Sequence, residues 1–223
     1  MWYAKQTGGY AKESDEAKAN AIEIYNILSA QGWSHNAICA CLGNNNHEGQ
    51  YNPWRWEADN VPTLEQWQEE WKDSTSHGYG MWGFTPSSKY IESSYARNIR
   101  GFGPNYSDLA GIPEDGRAQT YFMNSGGSGW IIRSRFNNMT FEQYKVSTET
   151  LSYLTEVFLY CFENPANPQA SYADRYEAAV YWDDYFSGYE PTPDPDPPGP
   201  SPDPPPGPVY INDRHLWKFY LFM

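Results

Sequence analysis

The chain has 223 residues and a formal net charge of −13, from 28 acidic and 15 basic side chains. That imbalance excludes nucleic acid as a partner, because little positive charge is available to replace phosphate counterions, and it excludes a basic stripe for capturing anionic surfaces. The length suits one domain with an appendage, and 17% of the residues are aromatic, enough flat apolar surface both to build a core and to meet ring-shaped ligands.

In chain order, residues 1–13 read as a flexible lead, and Met1 to Gln6 lack the apolar stretch of a signal peptide. No run approaches the length of a membrane span, so the chain is expected in a cytoplasm, with something else bringing it to its substrate. Ser14 or Asp15 can cap a first helix with Ala17, Ala21, Ile24, Tyr25 and Leu28 on its apolar face and Gly32 at its end. Ser34 caps a second helix whose inward stripe reads Ile38, Cys41 or Leu42, Asn45, then Glu48, in steps of three and four. Residues 49–62 form a loop rich in Trp, Asn and Pro. Thr63 and Gln66 make a capping box for a helix with Leu64, Trp67 and Trp71 on one face.

Residues 75–86 read as a Gly-rich hairpin or loop, and Pro86 and Ser87 start a helix that runs to Asn98. A loop over Gly101 to Pro113 leads to a helix from Glu114 to Asn124, and one or two short helices fill 128–146. Thr148 opens the longest apolar helix, with Leu151, Leu154, Val157, Phe158 and Cys161 inward, and Asn164-Pro165 stops it. Ser171 caps the last helix, with Tyr172, Tyr176, Ala179, Val180 and Trp182 inward and its end near Gly188. The pattern predicts a mainly α domain over 1–189 with one short β-hairpin. Residues 190–208 alternate Pro with Asp, Gly and Ser and predict an extended, acidic spacer. The apolar-rich tail 209–223 is too short for a domain; it either belongs to a longer polypeptide or docks on a partner.

The three cysteines, Cys39, Cys41 and Cys161, give no disulfide framework, and small buried hydrophobes are their expected role. His35 and Cys39 are an i, i+4 pair, but with Cys41 and His47 they match no standard zinc spacing, so neither metal nor cofactor is expected. One carboxyl group stands out. Glu48 extends a core-facing stripe just where the helix runs out, so partial burial and the negative end of the helix dipole both favour its protonated form. Such a carboxylic acid can protonate a glycosidic oxygen. His47, its neighbour in sequence, points about 100° away on a helix and is expected in solvent or behind the site.

The segment Gly43-Asn44-Asn45-Asn46-His47-Glu48-Gly49-Gln50-Tyr51-Asn52-Pro53 resembles the active-site segment of the tail-associated lysozyme family of bacteriophages, within the wider lysozyme and lytic transglycosylase fold group. A second block, Gly78-Tyr79-Gly80-Met81-Trp82-Gly83-Phe84-Thr85-Pro86, resembles the family's cleft-lining run, with Gly83 where the family usually has Gln. Looser matches are Gln119 and Phe162-Glu163-Asn164-Pro165 with Arg175 beyond; together they span residues 15–187.

The resemblance implies an α+β lysozyme-like fold, a helical domain with the hairpin beside the cleft. It implies hydrolysis of the β-1,4 bond between N-acetylmuramic acid and N-acetylglucosamine in bacterial peptidoglycan, with Glu48 as general acid. Asp59 is the expected second carboxylate, with Glu57 as the alternative, since in related lysozymes that acid often follows the catalytic helix. Tyr79, Met81, Trp82, Phe84, Thr85 and Gln119 are the implied substrate contacts, two of the four large apolar ones packing on sugar rings. Lytic transglycosylation and a non-catalytic, carbohydrate-binding tail protein are the alternatives. The protein would sit in the virion tail or in the host cytoplasm before lysis, with other tail proteins as possible partners of its C-terminal tail.

Overall fold

The computed structural model describes residues 2–74, 76–100, 116–126 and 129–193. Its five longer helices are α1 (Asp15–Ala30), α2 (His35–Asn45), α3 (Gly116–Asn124), α4 (Leu151–Phe158) and α5 (Pro168–Tyr185). Helix α2 is the axis. It packs against α5 and α4, while α1 covers α3 and touches α2. From Ala37 to Asn45 every residue of α2 is buried, which is why its sequence is small or apolar on all sides from Ala37 to Gly43 rather than on one stripe.

The starts of the helices follow their cap residues. The Ser14 hydroxyl accepts from the Ala17 amide at 3.1 Å and that of Ser34 from Ala37 at 3.2 Å, each satisfying a donor that the helix leaves unpaired. Thr63 with Gln66 forms the expected capping box, and Thr140 with Gln143 forms another. The α1 face of Ala17, Ala21, Ile24, Tyr25 and Leu28 is buried as its spacing predicts.

Helices α2 and α5 touch backbone to backbone. A Cβ added at Gly43 would lie 2.5 Å from the Arg175 carbonyl oxygen and 2.6 Å from the Ala179 Cβ. Only glycine permits that approach, and it brings Arg175 under the end of α2.

Several expectations need correction. The described residues contain no strand: in place of a hairpin there are two isolated antiparallel bridges, Trp56 to Tyr79 and Tyr79 to Phe84. Gly80 and Gly83, at φ 82° and 54°, curl the chain, and its polar groups turn outward to the neighbouring loop. The Gly80 amide donates to the Arg55 carbonyl at 2.8 Å, and the Glu57 amide to the Gly78 carbonyl at 3.0 Å. The helix expected from Ser87 to Asn98 is broken into Ser88–Ile91 and a wider turn at Ala96–Arg100. Leu64, expected inward, is 49% exposed.

The N-terminal lead is tied down rather than loose. The Asn52 side chain accepts from the Lys5 amide and donates to the Lys5 and Gly8 carbonyls, at 3.1, 2.6 and 2.7 Å. Helix α5 begins earlier than Ser171, because Pro168 supplies a helix-ready φ in the first turn. Its inward stripe is Ser171, Arg175, Ala178, Ala179 and Trp182, which leaves Val180 exposed.

Residues 101–115 and 194–223 lie outside the described residues, and with them the loop expected over Gly101 to Pro113, the first residues of the helix expected from Glu114, most of the acidic spacer and the whole apolar tail. Up to that point the chain is held on the body. The Tyr189 hydroxyl and the Thr192 amide both donate to Asn26 Oδ1, at 3.1 and 3.0 Å. Among the described residues no helix is long and apolar enough to cross a membrane.

Two outcomes follow. Gly43→Ala forces α2 and α5 apart and lowers stability by about 1–3 kcal/mol, the usual cost of overpacking, measurable by urea unfolding; an unchanged midpoint would contradict the close approach. A chain ending at residue 193 keeps the thermal midpoint of the full chain, and a fall of many degrees would place part of the core beyond it.

Candidate active site

The turn after α2 carries Glu48. Its amide donates to the Asn44 carbonyl at 3.4 Å, and its carbonyl accepts from Arg55 Nη1 at 3.3 Å, so the backbone is held on both sides. The side chain is 26% exposed and faces a cavity of about 520 Å³. That cavity is lined by the Glu48 turn, by Arg55 to Ala58, by the glycines and Thr85 of the Gly-rich block, and by the segment from Pro165 to Arg175.

Arg175 organises this wall. Its side chain is 1% exposed, and every nitrogen of the guanidinium is engaged. Nε donates to the Ser171 hydroxyl at 3.0 Å, Nη1 to the Asn44 carbonyl and side-chain oxygens at 3.3 and 3.1 Å, and Nη2 to Glu48 Oε1. Asn44 is oriented in turn, its amide donating to the Ala40 and Thr155 carbonyls at 2.9 and 3.2 Å. The sequence alone shows Glu48 at a helix end; the structure adds a buried positive charge bonded directly to its carboxyl group.

Gly83 leaves the other carboxylate oxygen open. A Cβ there would lie 3.3 Å from Glu48 Oε2, so the absence of a side chain leaves space directly in front of the acid. His47 stands at the rim of the same cavity, where partial desolvation of its ring, and then Arg175, lower its pKa. Glu57 also lines the cavity, its Oε2 accepting from the Gly78 amide at 2.5 Å. Asp59 does not line it: its Oδ1 accepts from the Gly8 amide at 2.7 Å and from Arg55 Nε at 3.2 Å.

The expected substrate contacts sort differently from their reading in sequence. Tyr79, Met81, Trp82 and Phe84 are each at most 1% exposed; none lines the Glu48 cavity, and only Trp82 and Phe84 line the cavity that adjoins it. Two of them are drawn inward by a ring cluster: Tyr79 meets Trp56 at 4.5 Å between centroids, and Phe84 meets Phe122 at 5.0 Å and Tyr90 at 5.4 Å. Gln119 is likewise buried, and it positions rather than contacts. Its Oε1 accepts from the Met81 amide at 2.9 Å and its Nε2 donates to the Pro53 carbonyl at 2.6 Å, joining the Gly-rich block to the loop after Glu48. Thr85 stays accessible and lines the cavity.

A second cavity of about 420 Å³ adjoins the first and shares Gly83 and Thr85 with it. Glu163 stands in its wall, at the end of the wider helical turn Leu159–Glu163 that continues α4. Its Oε1 is buried with no hydrogen-bond partner. Burial raises the Glu163 pKa well above the usual carboxylate value, the charge of Glu48 raises it further, and Arg175 draws it back.

Among the described residues one group could ligate a metal: His35, Cys39 and Asp183, whose ligand atoms lie within 4.8 Å of one another. They sit where α2 begins and α5 ends, away from the Glu48 cavity, already joined by a 2.7 Å His35–Asp183 hydrogen bond and a 2.8 Å Tyr25–His35 one. Cys41 and His47 take no part in it.

Arg175→Gln removes the cation beneath Glu48. Because that carboxylate is partly solvated, the expected loss is about 1–3 kcal/mol, less than for breaking a fully buried pair. Urea unfolding measures it, and an unchanged midpoint would mean that the guanidinium does not hold α5 to α2.

Comparison with known proteins places this geometry in context. The family model for phage tail lysozyme matches residues 19–186. The chain is also 30% identical over 192 residues to morphogenesis protein 1 of Bacillus phage B103, an alignment covering 84% of this chain and 44% of that relative. The chain thus spans less than half the length of that curated protein.

Proposed function

The chain belongs to the phage tail lysozyme family, and from that premise we propose that its Glu48 cavity cleaves the β-1,4 bond between N-acetylmuramic acid and N-acetylglucosamine in bacterial peptidoglycan. The observation that carries this reading is the setting of Glu48. A single carboxyl group is held by a buried guanidinium, with open space before its Oε2 and a cavity of about 520 Å³ in front of it. Glu48 is the general acid: its proton passes to the bridging oxygen as the glycosidic bond breaks.

A second carboxylate is the usual companion of such an acid. Asp59 was the expectation from sequence, but Glu57 faces the cavity and Asp59 does not, so Glu57 takes that role in our reading. Thr85 remains the substrate contact that the geometry favours. The B103 relative is named a morphogenesis protein, which supports a place in the virion, where the enzyme opens the wall during infection, over accumulation for lysis. Contact with other tail proteins would fall to the C-terminal segment.

Glu48→Gln is expected to keep the fold and to lose about 10²–10⁴-fold in rate on purified cell wall, the typical worth of a general acid. Glu57→Gln should lose more than Asp59→Asn. Near-normal release of soluble fragments by Glu48→Gln would refute the assignment, and equal losses from the other two would remove the reason for preferring Glu57.

A further inference from the structure

Helices α2 and α5 meet a second time, at the end of α2 away from Glu48. His35 in its first turn and Cys39 one turn on lie beside Asp183, near the end of α5. An imidazole nitrogen, a thiol sulfur and a carboxylate oxygen stand within 4.8 Å of one another there. Cys39 Sγ is 3.7 Å from His35 Nε2, and that nitrogen is 2.7 Å from Asp183 Oδ1. The i, i+4 spacing puts the first two on one face of α2. Asp183, 148 residues further along, completes a set that no reading of α2 alone supplies.

We propose that His35, Cys39 and Asp183 bind one divalent cation of the zinc class, which staples the start of α2 to the end of α5. Tetrahedral zinc with ordinary bond lengths sets sulfur and nitrogen ligands about 3.5 Å apart, and nitrogen and oxygen ligands about 3.3 Å apart. The first spacing is nearly met. The second needs the Asp183 carboxylate to draw back by about 0.6 Å, which a side chain 42% exposed can do. A mixed nitrogen, sulfur and oxygen set selects a borderline-soft ion over calcium or magnesium, which take oxygen ligands. His35 is 36% exposed as well, so the ion can enter from solvent and a water can fill the fourth position. Cys39 is buried beneath them.

An outer shell is present too. The Tyr25 hydroxyl is 2.8 Å from His35 Nδ1, so a ring protonated at Nδ1 donates to it and leaves Nε2 free for the metal. Without the metal the ring proton sits on Nε2 and is donated to Asp183. Burial, and then the charge of Asp183, push the Cys39 thiol up, so the metal must displace its proton. The S–H bond breaks, a sulfur–metal bond forms, and one proton passes to solvent. The length of α2, about 15 Å, separates the cluster from the Glu48 turn. The ion therefore acts on stability, and the proposal does not depend on the glycosidase reading.

The test uses the full chain, stripped with a chelator and then titrated with Zn²⁺ or Co²⁺. Calorimetry should show one ion bound per chain. Co²⁺ should give the visible bands of a tetrahedral site together with a thiolate charge-transfer band in the near ultraviolet. Zinc at about a hundredfold over its Kd should raise the thermal midpoint by about 5–10 °C. Tyr25→Phe, which keeps the ring, should weaken binding by about 10–100-fold, and Asp183→Asn by more than that. Cys39→Ser should abolish the charge-transfer band; if that buried substitution prevents folding, the band in the parent and the Asp183→Asn affinity decide.

A chain that binds neither ion would overturn the proposal. So would binding without the charge-transfer band, or binding that Asp183→Asn leaves unchanged, since either marks an adventitious surface ion only.

Discussion

The arrangement of the site depends on one contact, the buried guanidinium of Arg175 set between α5 and the end of α2. Gly43 lets the two backbones approach, Asn44 and Ser171 occupy the donors that point away from the cavity, and the remaining donor fixes Glu48. A buried charge is tolerable only when it is paired and fully hydrogen-bonded, so these residues form one unit. Losing Asn44 or Ser171 leaves an Arg175 donor unsatisfied in the core, and losing Arg175 leaves Glu48 without its partner.

The opposite wall is made in another way. The Gly-rich block has no sheet to support it, and it is fastened through its backbone: the Met81 carbonyl accepts from Gly49 at 3.1 Å, and the Met81 amide donates to Gln119. Its aromatic residues face the core and its glycines face the cavity. The wall opposite Glu48 is therefore mostly main chain and small side chains, which leaves room for a bulky polymer while the rings behind keep it rigid. Gly83 is the clearest instance, since any side chain there would press against Glu48 Oε2.

Much of the helical framework was legible in the sequence because its signals are local. Ser14, Ser34 and the Thr63–Gln66 box act within a turn of themselves, and the spacing of Ala17, Ala21, Ile24 and Leu28 needs no tertiary information. That Glu48 stands out from the other carboxylates is legible from its place at the end of a core-facing stripe and from the motif around it, and the structure sets it at a cavity. What escaped was set by contacts distant in sequence. Arg175 is named from sequence only as a loose match to the family, and its place on the inward stripe of α5, four residues after Ser171, is not read there: an apolar-period reading passes over an arginine and takes Tyr172, Tyr176 and Val180 instead. The telling sign was a cation where the periodicity demands a core residue, which calls for a buried acid elsewhere. Which of Tyr79, Met81, Trp82 and Phe84 turn inward was not legible for a related reason: an aromatic side chain fits a sugar cleft and a protein core equally well, and for Tyr79 and Phe84 it is contact with Trp56, Tyr90 and Phe122 that sets the direction. The three glycines in the same block favour curled backbone over a hairpin, a cue that was present in the sequence.

The central claim, that the Glu48 cavity hydrolyses a muramyl glycosidic bond, is tested most directly by mass spectrometry of the fragments this chain releases from purified peptidoglycan. The account predicts products ending in a reducing N-acetylmuramic acid, formed by water entering at the broken bond. Products ending in an anhydro-muramic sugar would show transglycosylation without water, and an undigested wall would show a cavity that binds without cleaving; either result would contradict it.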